Sequence, residues 1–358
     1  MRQMSMVWLV VAAGLSAVLV SACTVPPGGE PVSGGGAFDC SSGPVDLGVA
    51  DQVAAISSDG ATIVLVDYPE GDGPDQVVHY DLADRNRGVR HRWLSIPEAD
   101  DGVAVRVDDA GHRVLVQRYT PDPMTGARWS LHDLRTGAVD VLAPGISVDD
   151  ELVAVSSDLN RAVVRDYAAP GRPLRLVDVA TGAGPALGLV QDPAWTLLDI
   201  SPDLSMALQV ESSGGAVRSA RVVSTSTGSV LHDLGRIRGE NAYTPIGEFV
   251  GDDAVLFASA VPAAAPDDGI ADDGAFVVQL SSGALARLDP GVAGAMTWSS
   301  SPDGTRSLFS VIRGDGRMWA RTDGVNRSLA DTYMVTASRD HSVAVVADGT
   351  RATLHCLT

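Results

Sequence analysis

Two acids, Asp199 and Glu248, are placed where they could do chemistry: each stands four residues before a turn aspartate, Asp203 and Asp252 respectively. Carboxylates held side by side split their proton affinities, so one can act as acid and the other as base, or the pair can hold a divalent cation. The plain alternative is a pair solvated at a channel mouth or bonded to arginine. Arg106, one position later in an equivalent segment, could partner them or be a separate charge. The pairs His132-Asp133 and His232-Asp233 and the run His79-Tyr80-Asp81-Leu82 look catalytic in isolation. Each sits in a strand-like run followed by turn residues or a new unit, so repeat architecture accounts for them more simply. The seven histidines (79, 91, 112, 132, 232, 341, 355) form no His-Glu-x-x-His and no Cys/His ligand set, and no Gly-x-Ser-x-Gly elbow occurs beyond the N-terminal apolar segment. A Ser-His-Asp set assembled from distant positions stays open. Asp267, Asp268, Asp272 and Asp273 lack the spacing of a calcium loop and read as solvated, and Arg313-Gly314-Asp315-Gly316 is hairpin chemistry rather than an adhesion motif. No metal or cofactor is implied.

Composition narrows the chemistry further. The chain carries 26 basic and 45 acidic residues, a net charge of -19, and every basic residue is arginine. A chain this acidic does not gather nucleic-acid phosphates by counterion release, nor hold anionic lipid by charge. Without lysine there is no Schiff base, no phosphate-binding P-loop lysine and no Ser-x-x-Lys pair.

The elements that must position these residues repeat. Ser/Asp-rich turns recur around Asp59, Asp109, Asp158, Asp203, Asp252, Asp303 and Asp340, at steps of 50, 49, 45, 49, 51 and 37 residues. Each turn joins two short apolar runs such as residues 61–66, 161–164 and 254–257, and a second Gly-containing turn follows in most units (Gly137, Gly182, Gly228, Gly283, Gly324). Two hairpins per unit make four strands, and runs without polar alternation suit sheets buried on both faces. Seven four-stranded units predict an all-β fold, a β-propeller over residues 40–358, with six or eight blades as the neighbouring possibilities. Innermost strands line the channel, so Asp199 and Glu248 fall on adjacent blades. The last unit is short: after Asp340 there is room for strands around 343–347 and 352–357 but not for a fourth. Residues 44–49 are the unassigned strand-like piece that would close the ring. Loops between second and third strands share one face, and three begin with tyrosine, Tyr68, Tyr119 and Tyr167; they are candidate partner-binding residues, or caps on their own blade edges. Tryptophans 93, 129, 195, 298 and 319 lie in predicted strands and read as blade packing.

Two resemblances add to this. Residues 298–309, Trp-Ser-Ser-Ser-Pro-Asp-Gly-Thr-Arg-Ser-Leu-Phe, resemble the WD40-like Pro-Asp repeat of TolB-type propellers, which implies protein interaction. At the N-terminus, Arg2 precedes a 14-residue apolar run, residues 7–20, too short to span about 30 Å of hydrocarbon. Val20-Ser21-Ala22-Cys23 then resembles the lipobox of bacterial lipoproteins, with Val where Leu is commoner. That resemblance implies a signal peptide over 1–22, acylation (palmitate or similar chains) of Cys23, and a body held at the outer face of the cell membrane. Residues 24–39, with five Gly and three Pro, form a tether of about 20–25 Å. With Cys23 acylated, Cys40 and Cys356 remain, one at each end of the propeller sequence, and an exported pair favours a disulfide. The expected function is therefore a lipid-anchored extracytoplasmic propeller that binds a protein or another envelope component without catalysis and without nucleic acid. The alternative is a propeller hydrolase or lyase using the channel carboxylates, with or without a divalent cation.

Overall fold

The structure is a computed structural model; it describes residues 37–357 apart from segments 69–76, 98–101, 120–127, 142–149, 167–168, 190–193, 214–215, 239–245, 259–260, 263–274, 289–294, 312–316 and 332–334. Described residues form antiparallel sheets arranged as seven blades of a β-propeller. The first blade runs Gln52–Ile56, Thr62–Asp67, Val77–Asp84 and Val89–Pro97 from the axis outward, and the others repeat it. First strands of neighbouring blades approach one another, which places them around the axis. The third blade departs from the pattern. Its three strands (Asp150–Val155, Arg161–Asp166, Leu174–Asp178) are edged by residues 183–187, which bond back through Leu176 N to Pro185 O (3.0 Å) and Leu187 N to Leu174 O (2.8 Å). Pro185 has no N–H to extend the ladder, so this edge is irregular. The fourth blade gains a fifth strand, Val261–Pro262, against Val230–Arg238.

The core lies between blades. Val64, Val66 and Trp93 of the first blade pack with Val105, Val114 and Val116 of the second, and Leu208 and Val222 of the fourth pack with Phe249, Val255 and Phe257 of the fifth. Middle strands such as Thr62–Asp67 are thus buried on both faces, which is why their sequence runs Ile63-Val64-Leu65-Val66 without polar alternation.

The recurring turns are built by a serine two residues before the aspartate. Ser57, Ser156, Ser201, Ser301 and Ser338 each donate Oγ–H to Asp59, Asp158, Asp203, Asp303 and Asp340, at 2.6–2.8 Å. The same serine Oγ accepts the amide that starts the second strand, as in Arg161 N (3.0 Å) and Arg306 N (3.0 Å). In the second blade Asp108 replaces the serine and accepts from His112 N and Arg113 N. The residue after the aspartate takes a left-handed conformation and points into the preceding blade. Gly60 does so at φ 69°, where a Cβ would stand 2.0 Å from Val343 Cγ2. Leu159 (φ 53°) and Leu204 (φ 62°) accept the same conformation and bury their side chains as plugs. In the other direction, the residue opening the second strand reaches forward to the next blade's turn carbonyl. Thr62 Oγ1 bonds Gly111 O (2.8 Å), Arg113 bonds Asp158 O, Arg161 bonds Asp203 O (3.0 Å) and Arg306 bonds Asp340 O (3.2 Å).

The ring closes where the sequence predicts. Val45–Gly48 pairs antiparallel with Ala352–Cys356, completing the seventh blade, and Cys40 is disulfide-bonded to Cys356 across 316 residues of chain. Arg90, buried on the outer strand of the first blade, holds Asp81 through Nε (3.0 Å) and Nη2 (2.7 Å) and donates to Leu47 O and Val49 O across the seam. Gly48, at φ 90°, makes room for it: a Cβ there would meet Arg90 Nη1 at 2.9 Å.

Two outcomes test this account. Replacing Cys40 and Cys356 by serine lowers unfolding stability by about 2–5 kcal/mol in urea titrations, and Arg90→Ala costs about 3 kcal/mol, because it leaves Asp81 buried with Arg92 as its remaining cation. The turn aspartates set the acid response. The Ser156 hydroxyl, followed by the Asn160 amide, holds Asp158 below the usual carboxylate range despite some burial; Asp303 and Asp340 are also lowered, their turn hydrogen bonds outweighing burial. A lowered folded pKa gives stability that is full above the unfolded value of about 3.9 and is lost as pH falls through the folded value. Chemical denaturation between pH 5 and about 2 therefore shows a steep loss, and Asp158→Asn lowers stability at pH 7 and flattens that slope.

Candidate functional site

Adjacent inner strands bring Asp199 and Glu248 together at the channel wall. Asp199 lies on Trp195–Ile200 just after a β-bulge at Leu198, and Glu248 lies on Ile246–Gly251 of the next blade. The Asp199 carboxylate accepts Phe249 N (2.7 Å) across the blade boundary and Ile200 N (2.8 Å) on its own strand. Burial raises its pKa; the two amides and the charge of Arg339 oppose that rise. Glu248 is half-buried and has no hydrogen-bond partner among the described residues. Burial first, and then the charge of Asp199, push its pKa up to about 7. One acid is thus fixed as a staple between the fourth and fifth blades, while its neighbour keeps a free carboxyl near neutrality. Arg106 takes no part: it stays exposed and donates to Val105 O at 2.9 Å.

The equivalent position of the sixth blade holds a contact that no local motif announces. Ser299 Oγ lies 2.9 Å from Nε2 of His341, which comes from the turn of the seventh blade. His341 Nδ1 faces Arg339 O at 3.2 Å; a carbonyl only accepts, so Nδ1 carries the proton and Nε2 accepts from the Ser299 hydroxyl. The imidazole is buried in left-handed backbone (φ 51°), and burial lowers its pKa to about 4. It occupies the plug position of Leu159 and Leu204, which makes it a polar wedge between blades. A serine on an inner strand facing a histidine in the next blade's plug position is the signal that could have found it.

The other histidine–acid pairs separate. His132 is buried against the edge of Trp93 (4.9 Å between ring centroids) and bonds Ser130, whereas Asp133 caps its turn through the Arg135 and Thr136 amides. Asp233 likewise accepts Gly235 N, His79 bonds Ser95, and Asp81 belongs to the Arg90 and Arg92 cluster. Trp93 and Trp129 are buried, Trp319 stacks on Phe309, and Arg221 lies 3.8 Å over Trp195. Trp298 departs from the expected blade packing. It is the bulged residue between Thr297 and Ser299, its Nε1 donates to Ser310 Oγ, and it is 40% exposed because the bulge turns it out of the inter-blade layer.

At the turn face, an open groove of about 420 Å³ is lined by Ser58, Pro302, Thr305, Arg306, Arg339 and Asp340, from the sixth, seventh and first blades. Arg339 of the seventh blade pairs with Asp109 of the second at 3.1 Å. On the opposite face Tyr68 is exposed and its amide is pinned by Asp51 (2.6 Å). The Tyr119 side chain, Tyr167, Cys23, the acids 267, 268, 272 and 273, and Arg313-Gly314-Asp315 lie outside the described residues. Among the described residues no group of three or more His, Cys, Asp or Glu side chains is placed to hold a metal ion.

No family model matches this chain, and no curated protein matches it. Among solved structures, it is similar to an oligogalacturonate lyase solved with manganese, at 15% identity and a TM-score of 0.55 over 87% of this chain and 90% of that one. It is also similar to the oligogalacturonate lyase of Vibrio parahaemolyticus (12% identity, TM-score 0.54, 87% and 91% covered). TolB from Acinetobacter baumannii aligns over 87% of this chain and 96% of that one, at 13% identity and a TM-score of 0.44. At these identities the likeness to the two lyases establishes the propeller fold.

Glu248 makes the site testable by stability alone. A raised folded pKa means that ionising Glu248 opposes folding, so the penalty grows as pH rises from about 4.3 to about 7 and then levels off. Glu248→Gln removes the ionisation: its Tm exceeds that of the parent at pH 8 and matches it within error at pH 4. A difference of equal size at both pH values would show that Glu248 is not raised.

Proposed function

We propose that this chain is a lipid-anchored, extracytoplasmic β-propeller that acts by binding a protein or another envelope component rather than by catalysis. The observation that carries this reading is the turn-face groove: three blades contribute to it, it is open, and its lining mixes hydroxyls, carboxylates and two arginines. Between those polar groups the wall is largely apolar, and an apolar floor rimmed by polar side chains suits a polypeptide surface. The polar side chains of the channel wall support the same reading from the other side. Asp199 joins two blades, and Ser299 and His341 join two more.

A second reading rests on one observation, the free carboxyl of Glu248 held near neutrality, which is where an acid–base catalyst works best at ordinary pH. The oligogalacturonate lyases that share the fold name a reaction class to try. Two measurements separate the readings. Photo-crosslinking in intact cells from position 58, in the groove, gives reproducible protein adducts that position 325, on an exposed outer strand, does not. Equal or absent labelling at both positions would remove the binding reading. Turnover of oligogalacturonate that disappears in Glu248→Gln would establish the enzyme reading in its place.

A further inference from the structure

The first described residues settle the face on which the chain leaves the body. Phe38 N donates to Arg85 O (2.8 Å), at the turn joining the third and fourth strands of the first blade, and Cys40 is held at the end of Ala352–Cys356 by the disulfide. Strand direction fixes what this means. Val45–Gly48 runs antiparallel to Ala352–Cys356, so its start lies at the end of the blade where Ser338, Asp340 and the other turn residues sit. The exit of the chain and the groove lined by Ser58, Thr305, Arg306 and Arg339 therefore share one face, while Tyr68 stands on the other.

Resting on the lipid-anchor reading, we infer that the groove face is the membrane-facing side of the body, and that its partner is the extracytoplasmic part of a protein resident in that same membrane. From its composition alone, five Gly and three Pro in residues 24–39, the chain between Cys23 and Phe38 is expected to span about 20 Å. A six-residue strand makes the body about 20 Å thick from face to face. With the groove face toward the bilayer the tether works at its relaxed length; with the opposite face down it must extend by a further body thickness. Lipid is the poorer occupant of the gap. Losing Arg2 with the signal takes the net charge from -19 to -20, and the turn aspartates lie on this same face, so anionic headgroups are held off. That repulsion acts only within about a Debye length of the face, so it keeps lipid from closing onto the groove and leaves the gap set by the tether open to a protein segment.

The test uses the full, lipidated protein in phospholipid vesicles carrying a headgroup-level quencher, with a dye at Ser58→Cys or, separately, at Tyr68→Cys. Ser58 engages its neighbours through its main-chain carbonyl, so the side chain can be changed. The inference expects at least twofold stronger quenching at position 58 than at 68. Equal or reversed quenching on protein that floats with the vesicles overturns the orientation and leaves the anchor standing. Protein that does not float overturns the anchor and this inference with it. For the partner, Cys23→Ser protein carrying a photo-crosslinker at position 58 is expected to give adducts that sediment with membranes, although the uncrosslinked variant is released. Adducts confined to the soluble fraction overturn the membrane-resident partner.

Discussion

The seam between the first and seventh blades is the constraint on which the rest of the molecule depends. In a propeller each blade buries its faces only against its neighbours, so a ring left open exposes two blade faces, each as apolar as a domain core. Here the closing strand, Val45–Gly48, comes from the other end of the chain and is only four residues long. A strand that short is weakly held by its own ladder. The disulfide, the Arg90 cluster and the apolar cluster joining Leu47, Ala50, Ile63, Val345 and Leu354 all converge on it. Arg90 is well suited to this task, because its planar fork satisfies a buried carboxylate and two main-chain carbonyls at once.

Away from the seam, the same problem is met by two small devices that recur at several of the turns. A left-handed plug residue fills the preceding blade, and the opening residue of the second strand bonds the following one. Acting in opposite directions from one turn, they fix the rotation between blades that apolar packing alone leaves soft. The plug varies with its surroundings: glycine where Val343 crowds the site, leucine where an apolar pocket is open, and histidine where Ser299 offers a hydroxyl. A buried imidazole must satisfy its nitrogens, and Arg339 O and Ser299 Oγ do so without a charge.

Much of this is legible in the residues. Turn aspartates near fifty-residue steps, a last unit one strand short, and two cysteines at opposite ends suffice to predict blades, closure and staple. Legibility stops where the information is not local. The serine two residues before five of the seven aspartates was visible, but its bonds to both the carboxylate and the next strand's amide follow only from the turn geometry. Ser299 and His341 are 42 residues apart and meet because plugs point backward by one blade. Trp298 is turned outward by a bulge, which alternation of residue types does not encode. The pairing of Asp199 with Glu248 followed from counting back from the turns, yet their unequal roles did not. Which acid meets the Phe249 amide depends on the bulge at Leu198 and the twist between two blades.

That inequality bears on what the channel wall does. Two equivalent carboxylates would form a symmetric pair, with neither committed. Instead Asp199 is tied into the wall by amides whose own strands are fixed by the core, so moving it would disturb the boundary between the fourth and fifth blades. Glu248 bears the consequence of its place: burial first, and then the fixed charge of Asp199 beside it, drive it toward its neutral form. A raised pKa is therefore an expected by-product of packing a glutamate into the wall next to a stapling aspartate, and needs no substrate to account for it. The groove is shaped by packing of a different kind: Gly304 is held to hydrogen because a Cβ there would stand 3.1 Å from Ala286 Cβ and 3.3 Å from Leu288 Cδ2 of the fifth blade, and Arg339 is paired with Asp109 of the second.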